Sequence, residues 1–171
     1  MQKLLIVALV VGACGGGGGA GGGGDDWTSK PIKTVAATVD GIAFTIDLPD
    51  GMRQKAEDGG VHFDFLVGEY VKTPEVTVRA GGFAKTLEDY LKSEASTKDW
   101  LRKDTLPDGY ITSAENSAYK GKEDYLVYAY RTAGDKVLTC QARVTPWSRG
   151  ATTKDKVPLV EKMCLSLKFA K

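Results

Sequence analysis

Hydrophobic and polar positions alternate through the first part of the chain that can fold, from about residue 34 onward. Apolar side chains occupy every second position on both sides of Asp40-Gly41, and this dipeptide is the strongest short-range signal for a tight β-hairpin. The same alternation predicts a third strand after a turn at 57–60 and a fourth strand after Pro74. The apolar positions of these strands are Val35, Ala37 and Val39, then Ile42, Phe44, Ile46 and Leu48, then Val61, Phe63, Phe65 and Val67, and then Val76, Val78 and Ala80.

The period changes to that of a helix after Gly81-Gly82. Thr86 is followed three residues later by Asp89, a spacing that resembles a capping box. These signals predict a helix that runs from about Thr86 into the region of Trp100. The apolar positions at helical spacing are Leu87, Tyr90, Leu91 and Ala95.

The second half of the chain combines another hairpin with a final helix. Its predicted elements, in order, are a turn at 107–109, a strand at 110–114, a polar link at 119–124, hairpin strands at 125–131 and 136–144, a loop at 146–154 and a helix with Pro158 in its first turn. The last strand and the final helix each have one apolar side, formed by Leu138, Cys140, Ala142 and Val144 and by Val157, Val160, Cys164 and Leu167, respectively.

Strands joined by hairpins, together with two separated helices, predict one α+β domain over residues 34–171. Its sheet should be antiparallel, because no crossover of strand, helix and parallel strand is visible, and the helices should pack on the faces of the sheet. Residues 14–33 are expected to be a tether, since 15–24 contains only Gly and Ala. This glycine-rich stretch would have a typical end-to-end distance of roughly 18 Å.

The N-terminus has the pattern of an export signal. A short basic segment is followed by apolar residues 4–11, a run too short to span a bilayer. Val11-Gly12-Ala13-Cys14 resembles the lipobox of bacterial lipoproteins, in which the Cys is acylated and becomes the mature N-terminus. The resemblance implies a signal peptide at 1–13 and a membrane anchor on Cys14 in the bacterial cell envelope. Gly15 resembles the pattern of outer-membrane sorting in enteric bacteria. The alternative is an ordinary signal peptide with an unrelated cysteine.

The charge balance argues against a nucleic-acid partner. The chain has 23 Lys and Arg against 22 Asp and Glu, and loss of Lys3 with the signal peptide would leave the mature protein neutral. A neutral chain offers no long-range attraction to polyanions, and no general steering toward anionic lipid.

The three cysteines suggest one disulfide bond. Lipid would occupy Cys14, which leaves Cys140 and Cys164 as a pair, and an even remainder in an exported protein favours a bridge. Such a bond would close a loop of about 25 residues and stabilise the fold by roughly 3.5 kcal/mol. Two buried free thiols are the alternative.

The strand at 41–51, which is rich in apolar residues and ends in Pro49-Asp50-Gly51, resembles the opening of PsbP-like and DcrB-like domains. The order of the following strands and helices, up to Ser166-Leu167-Lys168, is also similar. The resemblance covers residues 34–171 and implies a PsbP-like sandwich, an antiparallel sheet with helices on both faces. It implies binding or accessory proteins and carries no shared catalytic residues.

The residues with catalytic or metal-binding chemistry are few. His62 is the one histidine, and its alternation with Phe63 predicts a solvent-facing position. A metal site could use His62, Asp64 and Glu57-Asp58, and Cys140 with His62 could form a nucleophile and base. Zinc sites prefer more nitrogen and sulfur ligands, and Cys140 has a disulfide partner. We therefore expect no catalytic residue, no metal and no cofactor.

Tyrosines crowd the strand at 125–131, where Tyr128 and Tyr130 share a face with Leu126. They are core residues if both faces of the sheet are covered, and a ligand or partner surface if one face is open. The sequence thus favours a non-catalytic binding or accessory module that is anchored to the membrane and has a possible envelope-protein partner. The alternatives are an envelope hydrolase that uses surface carboxylates and an assembly factor for a membrane complex.

Overall fold

The computed structural model describes residues 27–67, 69–94, 99–116, 119, 121–146 and 153–170. The expectations for the signal peptide, for Cys14 and for the glycine-rich stretch at 15–24 fall outside these residues. The predicted extension of the tether to residue 33 is wrong, because Trp27 is buried in the core and the first strand begins at Ile32. The strands and helices, in chain order, are β1 (Ile32–Val39), β2 (Ile42–Pro49), β3 (Arg53–Glu57), β4 (Gly60–Val67), β5 (Tyr70–Ala80), α1 (Leu87–Ser93), β6 (Trp100–Leu106), β7 (Gly109–Glu115), β8 (Tyr125–Ala133), β9 (Lys136–Val144), α2 (Val157–Leu165) and β10 (Lys168–Phe169).

The strands form two antiparallel sheets. The larger sheet has seven strands in the order β3-β4-β5-β9-β8-β7-β6, and the smaller has three in the order β1-β2-β10. The small sheet and α2 lie over one face of the large sheet, and α1 lies over the other. This arrangement confirms the predicted α+β class, with an antiparallel sheet and helices on its faces. No helix in the described part of the chain is long and apolar enough to span a bilayer.

The main core lies between the large sheet on one side and the small sheet with α2 on the other. Alternating positions supply it, as the sequence pattern predicted, because every second side chain of a strand points to the same face. Fully or almost fully buried members include Phe44, Ile46, Leu48, Phe63, Val76, Val78, Val127, Leu138, Val144, Val160 and Leu167.

The predicted hairpin at Asp40-Gly41 is confirmed. Val39 pairs with Ile42, which leaves two residues in the turn. Asp40 and Gly41 both have positive φ, 47° and 77°, the conformation that a two-residue turn with the right-handed twist of its strands requires. The strands at 110–114, 125–131 and 136–144 are confirmed as well, and Pro158 lies in the first turn of α2.

The first helix is shorter than predicted. α1 ends at Ser93, and Trp100 begins strand β6 rather than continuing the helix. Strand β6 is an edge strand whose side chains are mostly exposed, so it needs no alternation of apolar and polar residues and gives no strand signal. The exposed edge strand β3 and the two-residue strand β10 were missed for similar reasons. The fourth strand was predicted to follow Pro74, but β5 already begins at Tyr70. Pro74 lies within this strand, near the place where the pairing of β4 with β5 shifts register.

Candidate functional site

A cavity of about 360 Å³ opens on the face of the large sheet that the small sheet does not cover. Two different surfaces meet there. Aromatic side chains of β6, β8 and α1 form one wall, and polar side chains of β4, β5 and β9 form the other. Its lining residues include His62, Glu75, Thr77, Arg79, Tyr90, Glu94, Trp100, Thr112, Leu126, Tyr128, Gln141 and Arg143.

The aromatic wall belongs to a second core beneath α1. Tyr90 of this helix stacks on Tyr128 with 4.6 Å between ring centroids, and Tyr110 stacks on Tyr130 at 5.3 Å. The Tyr110 hydroxyl donates a hydrogen bond to the carbonyl oxygen of Ala84 at 3.0 Å. Burial raises the pKa of the Tyr90, Tyr110 and Tyr128 phenols above the ordinary value, so these side chains stay uncharged further into the alkaline range than an exposed tyrosine.

Both tyrosines that were singled out from the sequence are buried. Tyr128 and Tyr130 lie under α1, which is the outcome predicted for a sheet covered on both faces. The exposed Phe83 ring lies beside Tyr128, with 6.2 Å between centroids. Tyr128 also contributes to the cavity wall, whereas Tyr130 is not one of its lining residues. A ligand contact therefore remains a prediction for Tyr128.

The polar wall is held together by hydrogen bonds between neighbouring strands. Thr77 of β5 lies directly opposite His62 of β4 and Gln141 of β9 in the strand register. Its hydroxyl lies 2.9 Å from Nδ1 of His62. Arg79 donates from Nη1 to Oε1 of Gln141 at 2.7 Å. These side chains are thus held in place on the sheet surface before any ligand arrives.

Arg143 supplies a fixed cation to the same wall. Its Nε and Nη2 atoms donate to the two carboxylate oxygens of Asp124, which is buried. These hydrogen bonds raise the pKa of Arg143 above its ordinary value. Its guanidinium also lies 5.4 Å from the centroid of the Tyr119 ring, and Glu75 faces it across the β5–β9 register.

His62 does not have the solvent-facing position that the sequence predicted. Its side chain is only 12% exposed, because it lies between Thr77 and Asp64 and borders the cavity. Strand β3, which was not predicted, contributes Arg53 and Lys55 to the neighbouring Asp64. Arg53 donates from Nε to the buried carboxylate at 2.7 Å, and Nζ of Lys55 lies 3.4 Å from it.

Asp64 and Cys140, the residues that could have acted with His62, are bonded to other partners. The carboxylate of Asp64 already accepts hydrogen bonds from Arg53 and Lys55. Among the residues that the structure describes, no group of three or more His, Cys, Asp or Glu side chains is placed to hold a metal ion. The predicted disulfide is confirmed: Cys140 and Cys164 are bonded, with 5.5 Å between their Cα atoms. Cys140 is therefore not a free thiol that could act with His62.

The sequence did contain a signal for the polar wall. Thr77 and Arg79 alternate with the core residues of β5, and Gln141 and Arg143 do the same on β9. Both strands were predicted with the correct inward face. Their adjacency was not predicted, because β5 and β9 are far apart in the chain and pair only in the folded sheet.

Comparisons with known proteins support the fold. No family model matches the chain, and no curated protein matches it. Cyanobacterial PsbP (CyanoP) from Synechocystis sp. PCC 6803 is similar in structure, with a TM-score of 0.51 and 16% identity over 94% of this chain and 99% of that one. A protein from Bacteroides thetaiotaomicron VPI-5482 aligns with a TM-score of 0.40 and 15% identity over 75% of this chain. The present chain covers 45% of that protein. The described domain is therefore similar in fold to cyanobacterial PsbP.

Proposed function

We propose that this protein is a lipid-anchored, non-catalytic binding module of the bacterial cell envelope, and that the cavity on the large sheet is its binding site. The observation that carries the proposal is the cavity itself. A rigid aromatic wall faces a wall of polar groups that are already fixed by their own hydrogen bonds. Small-molecule sites combine apolar surface with a few fixed polar groups in this way.

The lining suggests the class of ligand. A planar apolar part would stack against Tyr128 and Trp100, and a polar part would bind Arg79 and Gln141. Glu75 and Glu94 also line the cavity and would disfavour ligands with several negative charges. The ligand we propose is therefore small, partly aromatic and at most singly anionic.

The lipid anchor rests on the resemblance of residues 11–14 to a lipobox. The described domain begins at Trp27, so about a dozen residues would connect it to Cys14. Such a glycine-rich tether would hold the domain roughly 20 Å from the anchor on average. Gly15 favours the outer membrane as the location. The likeness to cyanobacterial PsbP agrees with this proposal, but by itself it concerns the fold alone.

The anchor is tested by replacing Cys14. In the parent protein, the mass of the N-terminal peptide should include acyl groups on Cys14, and the protein should fractionate with membranes. The Cys14→Ser variant should lack these groups and should remain unprocessed or be released. An acylated, membrane-bound Cys14→Ser protein would show that the lipobox interpretation is wrong.

The cavity is tested by nuclear magnetic resonance with a set of small aromatic compounds that carry one polar or anionic group. Binding should shift the amide resonances of Thr77, Gln141 and their strand neighbours. Gln141→Trp should fill the mouth of the cavity and abolish these shifts. Gln54→Trp, at an exposed glutamine of β3 outside the cavity, is the matched control and should leave them unchanged. Shifts that map elsewhere, or that survive in Gln141→Trp, would contradict the proposed site.

A further inference from the structure

The hairpin of β4 and β5 ends in an exposed apolar surface, which we call the apolar tip. It consists of Leu66, Tyr70 and Val71, whose exposed fractions are 46%, 72% and 46%. Leu66 pairs directly with Val71, so these two side chains are adjacent on one face of the hairpin, and Tyr70 points to the other face. Exposed apolar side chains are ordinary when they are scattered, but a group at the end of one hairpin indicates a contact surface.

The N-terminal segment of the described chain passes beside this hairpin. The backbone N–H of Lys30 donates a hydrogen bond to the carbonyl oxygen of Trp27, the first described residue. The Lys30 ammonium lies 5.6 Å from the centroid of the Phe65 ring, and Phe65 directly precedes Leu66. A tether of about a dozen residues before Trp27 would therefore place the apolar tip within reach of a membrane that holds the protein through Cys14.

The opposite end of the large sheet is far from this surface. Strand β5 has 11 residues from Tyr70 to Ala80, which corresponds to roughly 33 Å of extended strand. Ala80 pairs with Leu138 near the start of β9, so the turn between β8 and β9 lies at this distant end. The two ends provide a matched pair of positions for an experiment.

We propose that the apolar tip rests in the interfacial region of the lipid bilayer to which Cys14 is attached. The inference rests on the proposed lipid anchor and adds a second point of contact to it. Tyrosine is favoured at membrane interfaces, and Leu66 and Val71 would enter the boundary of the acyl chains. Lys30 and Lys72 would face anionic headgroups, and the acidic side chains nearby are Glu69 and Asp50, of which Asp50 interacts with Lys30.

Two contacts would orient the domain, whereas a flexible tether alone would not. Strand β5 would then rise from the membrane, and the cavity residue Thr77, seven positions beyond Tyr70, would lie roughly 20 Å above the surface. The cavity would face the aqueous compartment at a fixed height. A ligand could reach it without entering the lipid.

The test uses the full-length chain expressed in bacteria, purified without reduction and reconstituted into vesicles of phosphatidylethanolamine and phosphatidylglycerol. Single cysteines at Leu66→Cys or, as a second position, Val71→Cys carry an environment-sensitive fluorophore. Asp135→Cys, in the exposed turn between β8 and β9, is the matched control. Lipids with a quencher near the headgroup should reduce emission at the tip at least twofold and leave the control unchanged. Mass spectrometry of Cys14 reports acylation independently.

The outcomes separate the two proposals. Acylated protein whose tip fluorophore is quenched by lipid supports the inference. Acylated protein whose tip fluorophore stays in water overturns it and leaves the anchor intact. A tip that is shielded from water but not quenched, in a crosslinked dimer, indicates a second copy and also overturns it. A chain without acyl groups overturns the anchor and, with it, this inference.

Discussion

Arg143 and Asp124 form a two-pronged ion pair at the edge of the cavity. Nε of Arg143 lies 3.0 Å from Oδ1 of Asp124, and Nη2 lies 2.7 Å from Oδ2. The carboxylate is buried, whereas the guanidinium is partly exposed to solvent. The buried acid therefore fixes the direction of a cation that a ligand can reach.

Asp124→Asn should release this guanidinium and destabilise the fold by about 1–3 kcal/mol, because an amide can accept only one of the two hydrogen bonds. Asp104→Asn is the matched control, since Asp104 is exposed and also accepts a hydrogen bond from an arginine, Arg102. The Asp104→Asn control should lower the free energy of unfolding by less than about 0.5 kcal/mol. Urea unfolding measures the free energy of unfolding of both variants. Equal decreases in the two would show that the buried position of Asp124 makes no difference.

Removal of the disulfide should destabilise the domain by about 2–4 kcal/mol, because the bond restricts the unfolded chain between Cys140 and Cys164. The double variant Cys140→Ala and Cys164→Ala should unfold at lower denaturant concentration than the parent protein. Labelling of the unreduced parent after denaturation tests the bond itself, and thiol reagent on both cysteines would show that it does not form in the folded protein.

Gly109→Ala should destabilise the domain by roughly 3 kcal/mol or more. Gly109 has a φ of 152°, and an added Cβ would lie 1.8 Å from the carbonyl oxygen of Tyr130. Gly134→Ala is the control: its φ is 62°, but nothing lies within 4 Å of the added atom. The Gly134→Ala control should lower the free energy of unfolding by about 1 kcal/mol, because its left-handed backbone conformation alone disfavours a side chain. Thermal and urea unfolding compare the two, and similar losses would exclude the steric explanation.

Stability should decrease as the pH rises above about 10. Burial raises the pKa of Tyr90, Tyr110 and Tyr128, so the folded chain keeps phenolic protons that the unfolded chain releases. The unfolded state then binds fewer protons, and each tyrosine lowers the unfolding free energy by up to about 1.4 kcal/mol per pH unit.

Urea unfolding between pH 9 and pH 11 measures this slope, and ultraviolet absorbance follows the ionisation of the phenols. Tyr90→Phe should make the slope shallower, whereas Tyr70→Phe, at an exposed position of the hairpin, is the matched control. A slope that is the same in both variants would show that the aromatic wall is not responsible.

Much of the fold could be predicted because local signals agreed with the final packing. The Asp40-Gly41 turn formed as expected, and the hydroxyl of Thr86 accepts a hydrogen bond from the Asp89 backbone at 3.1 Å, as a helix cap should. The apolar sides of β9 and α2 placed Cys140 and Cys164 together. In each case, neighbouring residues or a single apolar face carried the information.

The errors arose where neighbours distant in the chain decide the structure. Trp100 was placed at the end of a helix because apolar spacing alone does not reveal an exposed edge strand. His62 was predicted to face solvent because strand β3, which pairs with β4 beside His62, was not predicted. Strand β3 has almost no apolar pattern and so gave no signal. The cavity depends on β9 lying between β5 and β8, an order that no local pattern specifies.

The pairing of β2 with β10 also constrains when the protein can finish folding. Strand β2 is synthesised well before β10, yet Phe44 lies opposite Phe169 in the small sheet. A chain that emerges from the ribosome with its N-terminus first cannot complete this sheet until β10 is free. The small sheet is therefore complete only after β10 has been synthesised, and a chain that ends before α2 would leave the core between the two sheets open to proteases.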